Sequence, residues 1–169
     1  KTSSYIVSPT NAYWGDKLHK SNLQKFKSHK LIKEKYSSIK DLNLKHTAKA
    51  LASGNIIFFF HGRMEFGQRA LGHRSILSDP SKIDQVQKIN ETIKMRDFWM
   101  PFTPSILSGD LKKYIINKKN ISSDYMTVSY DTTPLGAKHF KAAIHPYDNT
   151  IRPQRVSKTT CRTYYKLLQ

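Results

Sequence analysis

Residues 61–75 contain the residue types that proteins use to bind phosphate groups. Three glycines recur at intervals of five residues, and three arginines are interleaved with them: Gly62, Arg63, Gly67, Arg69, Gly72 and Arg74. Glycine permits tight turns and a close approach of the backbone to a ligand, and the guanidinium group offers a planar fork of donors to phosphate or carboxylate oxygens. Because a solvated basic loop has no need of regularly spaced glycines, the pattern favours an oxyanion site. Arg69, between two of the glycines, is the first candidate ligand.

Three other charged residues, one inside this segment and two after it, could take part in the same chemistry. Lys94 and Arg96 follow an apolar helical stripe and would extend a cationic pocket if they lie near Arg69, although basic residues at a helix C-terminus also stabilise the helix dipole. Glu65 could orient an arginine or act as a base, and a simple ion pair is the plainer interpretation.

A third group of candidates lies near the C-terminus. Arg152 follows a turn that contains His145 and Asp148. Those two side chains could bind a ribose or a metal, but turn chemistry explains them adequately. The other histidines are scattered without ligand spacing, so the sequence offers no metal site of usable specificity.

Short elements are expected to position the glycine- and arginine-rich segment. Residues 56–60 form an apolar run of the length of one buried strand, and residues 42–53 predict a helix that ends at Gly54. Residues 74–77 predict a second strand. Asp79 and Pro80 then predict a helix start with Asp79 as N-cap, and an apolar stripe continues that helix to about residue 94.

Elsewhere strands and helices are mixed without strict alternation, which predicts an α/β domain, with α+β as the alternative. The lysine-rich residues 16–40 predict one or two exposed helices. The remaining strand candidates are residues 5–7, 125–130, 142–144 and 151–156, the extended candidate is residues 101–107, and the remaining helix candidates are residues 111–116 and 161–168.

The composition indicates an acidic partner. The 169 residues include 29 Lys and Arg against 12 Asp and Glu, a net charge of +17, which favours nucleic acid, nucleotides, acyl phosphates or an anionic membrane surface. The apolar runs are too short for a membrane span, and the N-terminus has no apolar segment of signal-peptide length. The single cysteine, Cys161, excludes an internal disulfide, is predicted to be a small core residue, and fits a reducing, cytoplasmic location.

One long segment resembles the signature of a known family. Residues 62–80 read GRMEFGQRALGHRSILSDP, and the signature of the nodulation-type O-carbamoyltransferases reads GRMEFGPRALGNRSILADP. Gln68 and His73 replace the usual Pro and Asn. The resemblance continues through residues 90–96 and 101–105, and residues 145–154 look like the family's H-x-D-G-T-x-R-x-Q with Asn149 in place of Gly.

This resemblance implies a two-domain enzyme. An N-terminal ASKHA-type domain of the same polypeptide would transfer the carbamoyl group to a hydroxyl acceptor, after a C-terminal YrdC-like domain has made carbamoyl adenylate from its substrates carbamoyl phosphate and ATP. This chain would be most of that second domain, with a twisted mixed sheet flanked by helices over residues 41–169 and a lysine-rich segment over residues 1–40. Arg69 and Lys94 would then be catalytic, and the phosphate and nucleotide ligands would be Arg63, Arg74, Ser75, Arg96 and Arg152.

The chain also departs from the family pattern. Met100 stands where the family typically has Arg, and the Ser-x-Asn partner of the Lys94-x-Arg96 motif would follow Gln169. The resemblance therefore implies an incomplete domain that does not transfer a carbamoyl group in isolation. Two other interpretations remain open: a basic nucleic-acid-binding YrdC-like module, which the net charge favours, and a non-catalytic degenerate homologue.

Overall fold

The computed structural model of the protein describes residues 11–17, 19–35 and 43–169, and these residues form a mixed α/β structure, as predicted. The α-helices in this part are α1 (Lys20–Ser28), α2 (Lys30–Lys35), α3 (Leu44–Ala52), α4 (Ile83–Ile89), α5 (Leu111–Tyr114), α6 (Pro134–His139) and α7 (Arg162–Leu168). The strands are β1 (Ile57–Phe60), β2 (Arg74–Leu77), β3 (Ser105–Leu107), β4 (Ile115–Ile116), β5 (Tyr130–Thr132), β6 (Thr150–Ile151) and β7 (Gln154–Val156). A π-helical turn at Asn90–Lys94 extends α4, and a 3-10 turn lies at Lys141–Ala143.

These strands form three small sheets. β1 and β2 are antiparallel, with Phe59 opposite Ser75, and they flank the glycine- and arginine-rich segment on both sides. β3 and β7 are parallel, with Ser105 opposite Gln154. β4, β5 and β6 form an antiparallel sheet in that order. Residues 61–73, which connect β1 and β2, are therefore held at both ends by the same strand pair.

Two apolar clusters form the core of the described part. One joins the β4–β5–β6 sheet to β3 and includes Ile106, Tyr130 and Phe140. The other joins β1 to α7, where Phe59 packs with Val156, Cys161, Tyr164 and Leu167. Cys161 is buried in that second cluster, which confirms it as a core residue.

The predicted strand over residues 56–60 exists, but it is not a buried strand. Phe59 is 2% exposed, whereas Phe58 and Phe60 are each 58% exposed. Successive side chains of a strand point to opposite faces, and β1 packs on the core with one face only. The apolar run is therefore a half-exposed strand.

Several local predictions are confirmed. Helix α3 begins after Asn43, whose side chain accepts a hydrogen bond from the His46 N–H at 3.0 Å, and it ends before Gly54, which has a φ of +84°. Strand β2 and the terminal helix α7 also lie where they are predicted. Helices α1 and α2 have no buried residue, as expected for the lysine-rich segment. The predicted strand at residues 5–7 and the end of that segment, residues 36–40, lie outside the described residues.

Other local predictions are wrong, each for a physical reason. Asp79 does not cap α4, because its Oδ1 accepts hydrogen bonds from the N–H and hydroxyl of Ser81 in a turn of its own, and the helix starts at Ile83. Residues 125–129 are not a strand, since Met126 has a φ of +57°. Residues 141–143 form a 3-10 turn instead of a strand.

Two further predictions are wrong in part. The helix predicted over residues 111–116 ends at Tyr114, and its last two residues form β4. The strand predicted over residues 151–156 divides into β6 and β7 around Pro153, which has no N–H to donate to a sheet. No helix in the described part of the chain combines the length and apolar character that a bilayer crossing requires.

Candidate anion-binding site

A cleft of about 370 Å³ lies between the signature segment, the end of α4 and the residues that precede β3. Four of the predicted site residues line it: Arg69, Ser75, Lys94 and Arg96. They come from segments that are far apart in sequence: Arg69 precedes β2 and Ser75 lies in it, whereas Lys94 and Arg96 belong to the turn after α4. The structure therefore brings the cations Arg69, Lys94 and Arg96 to one cleft, a proximity that the sequence could only suggest.

The three cations of this cleft have no carboxylate partner among the described residues. The ion pairs in that part of the chain involve other residues, such as Arg155 with Asp124 at 2.6 Å. Asp79 also lines the cleft, but its Oδ1 already accepts two hydrogen bonds from Ser81. The charges of Arg69, Lys94 and Arg96 are thus available to an anionic ligand.

Glu65 organises the backbone of the segment that carries Arg69. Its side chain is 7% exposed, and its Oε1 accepts hydrogen bonds from the N–H groups of Leu71 at 2.7 Å, His73 at 2.8 Å and Arg74 at 3.1 Å. Burial raises the pKa of this carboxyl, but the hydrogen bonds from backbone N–H groups, those of His73 and Leu71 foremost, together outweigh it and lower the pKa below the ordinary 4.5. Glu65 does not line the cleft, and the donors to its Oε1 are main-chain N–H groups, so the predictions of a base, of a group that orients an arginine side chain and of a simple ion pair are all wrong.

Gly72 allows this backbone to lie directly on α7. Its φ is +93°, and a Cβ built on it would overlap the ring of Tyr164. The Gly72 N–H donates to the hydroxyl of Ser75 at 2.9 Å. Both residues line the cleft, so the close approach of the segment to Tyr164 determines the position of the cleft wall.

His73 and Cys161 form a buried pair behind that wall. The His73 Nδ1 lies 2.6 Å from the carbonyl oxygen of Arg63, which can only accept, so Nδ1 carries the proton. The His73 Nε2 lies 3.0 Å from the Cys161 Sγ and therefore accepts from the thiol. Burial lowers the pKa of His73 and raises that of Cys161, so both groups are neutral near pH 7. Tyr13 stacks on the imidazole with ring centroids 3.8 Å apart.

The other three predicted arginines do not line this cleft. The guanidinium group of Arg74 donates to the carbonyl oxygens of His61 at 2.7 Å, His73 at 2.9 Å and Gly62 at 3.1 Å. Arg63 donates to the carbonyl oxygen of Trp14 at 3.0 Å. Arg152 is exposed in the short link between β6 and β7. That these three arginines bind phosphate stays a prediction.

Several polar residues near the cleft were not singled out by the sequence. Tyr164 donates to the Ser105 hydroxyl at 2.8 Å, and that hydroxyl donates to the Gln154 Oε1 at 3.2 Å. The Gln154 Nε2 then donates to the carbonyl oxygen of Leu71 at 2.9 Å, which ties the signature segment to β3 and β7. Burial raises the pKa of Tyr164 to about 12, so its hydroxyl remains a donor.

Asn90 is another polar residue near the cleft that the sequence did not single out. It is 0% exposed, and its Oδ1 accepts a hydrogen bond from the Arg96 Nε at 2.7 Å. Asn90, Ser105 and Gln154 all lie in the segments on which the resemblance rests, and this was the available signal. The turn over residues 145–150 contains no comparable site, since the Asp148 Oδ1 accepts from the N–H and hydroxyl of Thr150. Among the described residues, no group of three or more His, Cys, Asp or Glu side chains could hold a metal ion.

A comparison with known families decides what this fold belongs to. The profile of the family described as "Carbamoyltransferase C-terminus" matches residues 48–169. The protein belongs to this family. The resemblance read from the signature is thereby confirmed for this carbamoyltransferase C-terminal domain.

Individual relatives agree with that membership. An uncharacterized protein of Methanocaldococcus jannaschii is 34% identical over 159 residues, which cover 93% of this chain and 26% of the relative. Nodulation protein NolO of Bradyrhizobium diazoefficiens is 34% identical over 119 residues, or 70% of this chain and 22% of the relative. The 3'-hydroxymethylcephem-O-carbamoyltransferase of Streptomyces clavuligerus is 39% identical over 72 residues, or 41% of this chain and 14% of the relative. The carbamoyltransferase C-terminal domain thus spans about a quarter of the length of curated relatives that it matches over most of its own length.

Proposed function

We propose that this domain binds carbamoyl phosphate and the phosphates of ATP in the cationic cleft and forms carbamoyl adenylate there. The observation that carries the proposal is the convergence of Arg69, Lys94 and Arg96 on one cleft, with no carboxylate partner in the described part of the chain. Family membership supports carbamoyl transfer as the chemistry. An activated carbamoyl group is what such a transfer requires.

The proposed reaction brings two anions together. Water cleaves the P–O bond of carbamoyl phosphate, which releases inorganic phosphate and carbamate. A carbamate oxygen then attacks the α-phosphorus of ATP, and pyrophosphate leaves with the bonding electrons. Three positioned cations lower the repulsion between the substrates and stabilise the negative charge that develops on the phosphoryl oxygens.

Each cation has a role that follows from its position. Arg69 lies on the segment whose N–H groups Glu65 binds, so its backbone is fixed before a ligand arrives. Arg96 is oriented by Asn90, and its planar fork suits two oxygens of one phosphate. Lys94 supplies a flexible point charge, which suits an oxygen that moves during the reaction.

We also propose that transfer to the hydroxyl acceptor requires another part of the polypeptide, an ASKHA-type domain. The matching region covers 26%, 22% and 14% of the three relatives described above, which are therefore about four to seven times longer than it. By its printed name, the relative from S. clavuligerus carbamoylates a hydroxymethyl group. A hydroxyl acceptor is therefore the substrate class proposed for the full-length enzyme.

The first test is calorimetric titration of carbamoyl phosphate and of ATP into the wild type and Arg69→Ala. A charged hydrogen bond contributes roughly 1.5–3 kcal/mol, so the variant should bind about tenfold to one hundredfold more weakly. The control is Arg162→Ala, which removes a cation from an exposed position outside the cleft. Equal affinities of the wild type and Arg69→Ala would contradict the proposal.

The second test is pyrophosphate exchange. Labelled pyrophosphate should enter ATP only when carbamoyl phosphate is present, and Lys94→Ala should abolish the exchange. Binding of both ligands by the full-length polypeptide without exchange would favour the non-catalytic homologue.

A nucleic-acid-binding role is the second candidate, favoured by the exposed helices α1 and α2. Together they contain six lysines and one acidic residue, Glu34. Binding to duplex RNA or DNA should then weaken steeply with salt, because each phosphate contact releases counterions. Retention of neither nucleic acid at low salt would exclude this role.

A further inference from the structure

We infer that Asn90 is a positioning residue for the anion site, which it serves by orienting the Arg96 guanidinium group toward the cleft. This inference rests on the proposed function, because it assigns Asn90 a role in binding the same phosphate ligand. Asn90 is 0% exposed and is absent from the residues that line the cleft. It acts through Arg96 and does not touch the ligand.

Hydrogen bonds of both its side chain and its carbonyl oxygen connect Asn90 to the turn that follows α4, and that carbonyl oxygen also accepts from the Met95 N–H. Its Oδ1 accepts from the Arg96 Nε at 2.7 Å, and its own carbonyl oxygen accepts from the Arg96 N–H at 3.1 Å. Its Nδ2 donates to the carbonyl oxygens of Phe98 at 3.0 Å and Met100 at 2.9 Å. The amide thus binds both the side chain and the backbone of the segment that carries Arg96.

The local backbone is shaped to allow these contacts. Residues Asn90–Lys94 form a π-helical turn, and Met95 follows with a φ of +50°. Left-handed backbone at a residue other than glycine is uncommon and clusters at functional sites. The turn brings Arg96 back over Asn90, six residues earlier, which an α-helix would not do.

A second contact fixes the plane of the guanidinium group. The Arg96 Cζ lies 4.6 Å from the centroid of the Phe102 ring, a cation–π distance. Because Asn90 takes the Nε–H and Phe102 covers one face, the terminal Nη groups remain for a ligand. This leaves a two-pronged donor, which matches two oxygens of a phosphate.

The test is a double-mutant cycle on carbamoyl phosphate affinity with Asn90→Ala and Arg96→Ala. Arg96→Ala should weaken binding roughly tenfold to one hundredfold. Asn90→Ala should weaken it roughly threefold to tenfold, the cost of ordering one long side chain on binding. If Asn90 acts through Arg96, the double variant should be no more than about twofold weaker than Arg96→Ala. Additive losses would overturn the inference.

Thr92→Ala is the matched control. Thr92 is exposed on the same turn, and its hydroxyl donates to the Lys88 carbonyl oxygen instead of to Arg96. Its affinity should stay within about twofold of the wild type, since surface substitutions away from such contacts have small effects. A loss equal to that of Asn90→Ala would show that any disturbance of the turn suffices and would overturn the inference.

A readout without ligand separates this inference from the proposed function. The Nε–H resonance of Arg96, assigned by its loss in Arg96→Lys, should be protected from exchange with water relative to that of the exposed Arg162. The protection should be lost in Asn90→Ala and kept in Asn90→Asp, which retains an acceptor oxygen. An unprotected resonance in the wild type overturns the inference even if Asn90→Ala does not fold. Protection without any binding of carbamoyl phosphate would overturn the proposed function and leave the orientation of Arg96 established.

Discussion

Glu65 should contribute more to the stability of this domain than a typical surface carboxylate. One oxygen of its side chain accepts three backbone N–H groups, from Leu71, His73 and Arg74. The Glu65→Ala variant would leave these donors without their acceptor in a buried region. A hydrogen bond to a charged group contributes roughly 1.5–3 kcal/mol net, and three bonds that share one oxygen are worth less than their sum, so we expect a loss of about 3–4 kcal/mol.

The Glu65→Gln variant separates the charge from the geometry. It keeps an acceptor oxygen of similar reach, but neutral hydrogen bonds are about half as strong as charge-assisted ones, so the expected loss is about 1–2 kcal/mol. The matched control is Glu91→Gln, at an exposed carboxylate whose contact is a hydrogen bond from Gln87 at 2.9 Å. That control should change the free energy of unfolding by no more than about 0.5 kcal/mol.

Urea unfolding followed by far-UV circular dichroism measures these differences. With a slope of about 1–3 kcal/mol per molar urea, a loss of about 3–4 kcal/mol in Glu65→Ala should lower the midpoint by about 1–4 M. Because the folded-state pKa of Glu65 lies below 4.5, its contribution is present above that pH and is lost as the pH falls through the folded-state value. Glu65→Gln should therefore lose less stability on acidification than the wild type. A Glu65→Ala midpoint equal to that of Glu91→Gln would refute the reasoning.

Three other predictions concern packing, ligand affinity and pH dependence. Gly72→Ala should be strongly destabilising or fail to fold, because its Cβ would overlap the Tyr164 ring. Gly67→Ala has open space around it but keeps a φ of +139°, so its free energy of unfolding, from thermal or urea melts, should fall by the backbone strain alone, about 1–3 kcal/mol. Equal effects of the two substitutions would contradict this packing. Arg152→Ala should leave carbamoyl phosphate affinity within about twofold while Arg69→Ala lowers it, and a loss in Arg152→Ala as large as that in Arg69→Ala would extend the site beyond the cleft. The folded-state pKa of His73 lies below 6.5, so the unfolded chain binds more protons below that pH and stability should fall as the pH drops from 7 to 5. In thermal melts, His73→Asn should reduce part of this dependence of stability on pH. An unchanged pH dependence would contradict the lowered pKa of His73.

The elements that the sequence predicts correctly are those with local signals. Helix α3 has an Asn cap at one end and Gly54 at the other, and both contacts lie within a few residues of the helix. Residues 141–143 lack such a signal. They form a 3-10 turn in which the Ala142 N–H donates to the carbonyl oxygen of Pro80 at 2.8 Å, a contact with a distant part of the chain. The apolar residues 142–144, which predict a strand, cannot reveal a contact of that kind.

The candidate site shows the same limit at the level of side chains. Arg69 and Arg74 stand five residues apart in one motif and look alike in the sequence. In the structure Arg69 lines the cleft, while Arg74 donates to three main-chain carbonyl oxygens. Which way a guanidinium group points depends on where unpaired carbonyl groups lie after folding, and composition and spacing do not specify this.

The contacts of Arg74 and Glu65 explain why a segment so rich in arginine and glycine can be rigid. Each of its turns leaves backbone groups without partners in a sheet or helix, and buried unpaired groups are costly. Glu65 accepts from three of the N–H groups, and Arg74 donates to three of the carbonyl oxygens. Of the charged side chains in the section between β1 and β2, Arg69 is then the one that lines the cleft. The buried carboxylate of Glu65 and the half-buried guanidinium group of Arg74 thus satisfy the backbone, and the main chain that carries Arg69 is held by these contacts.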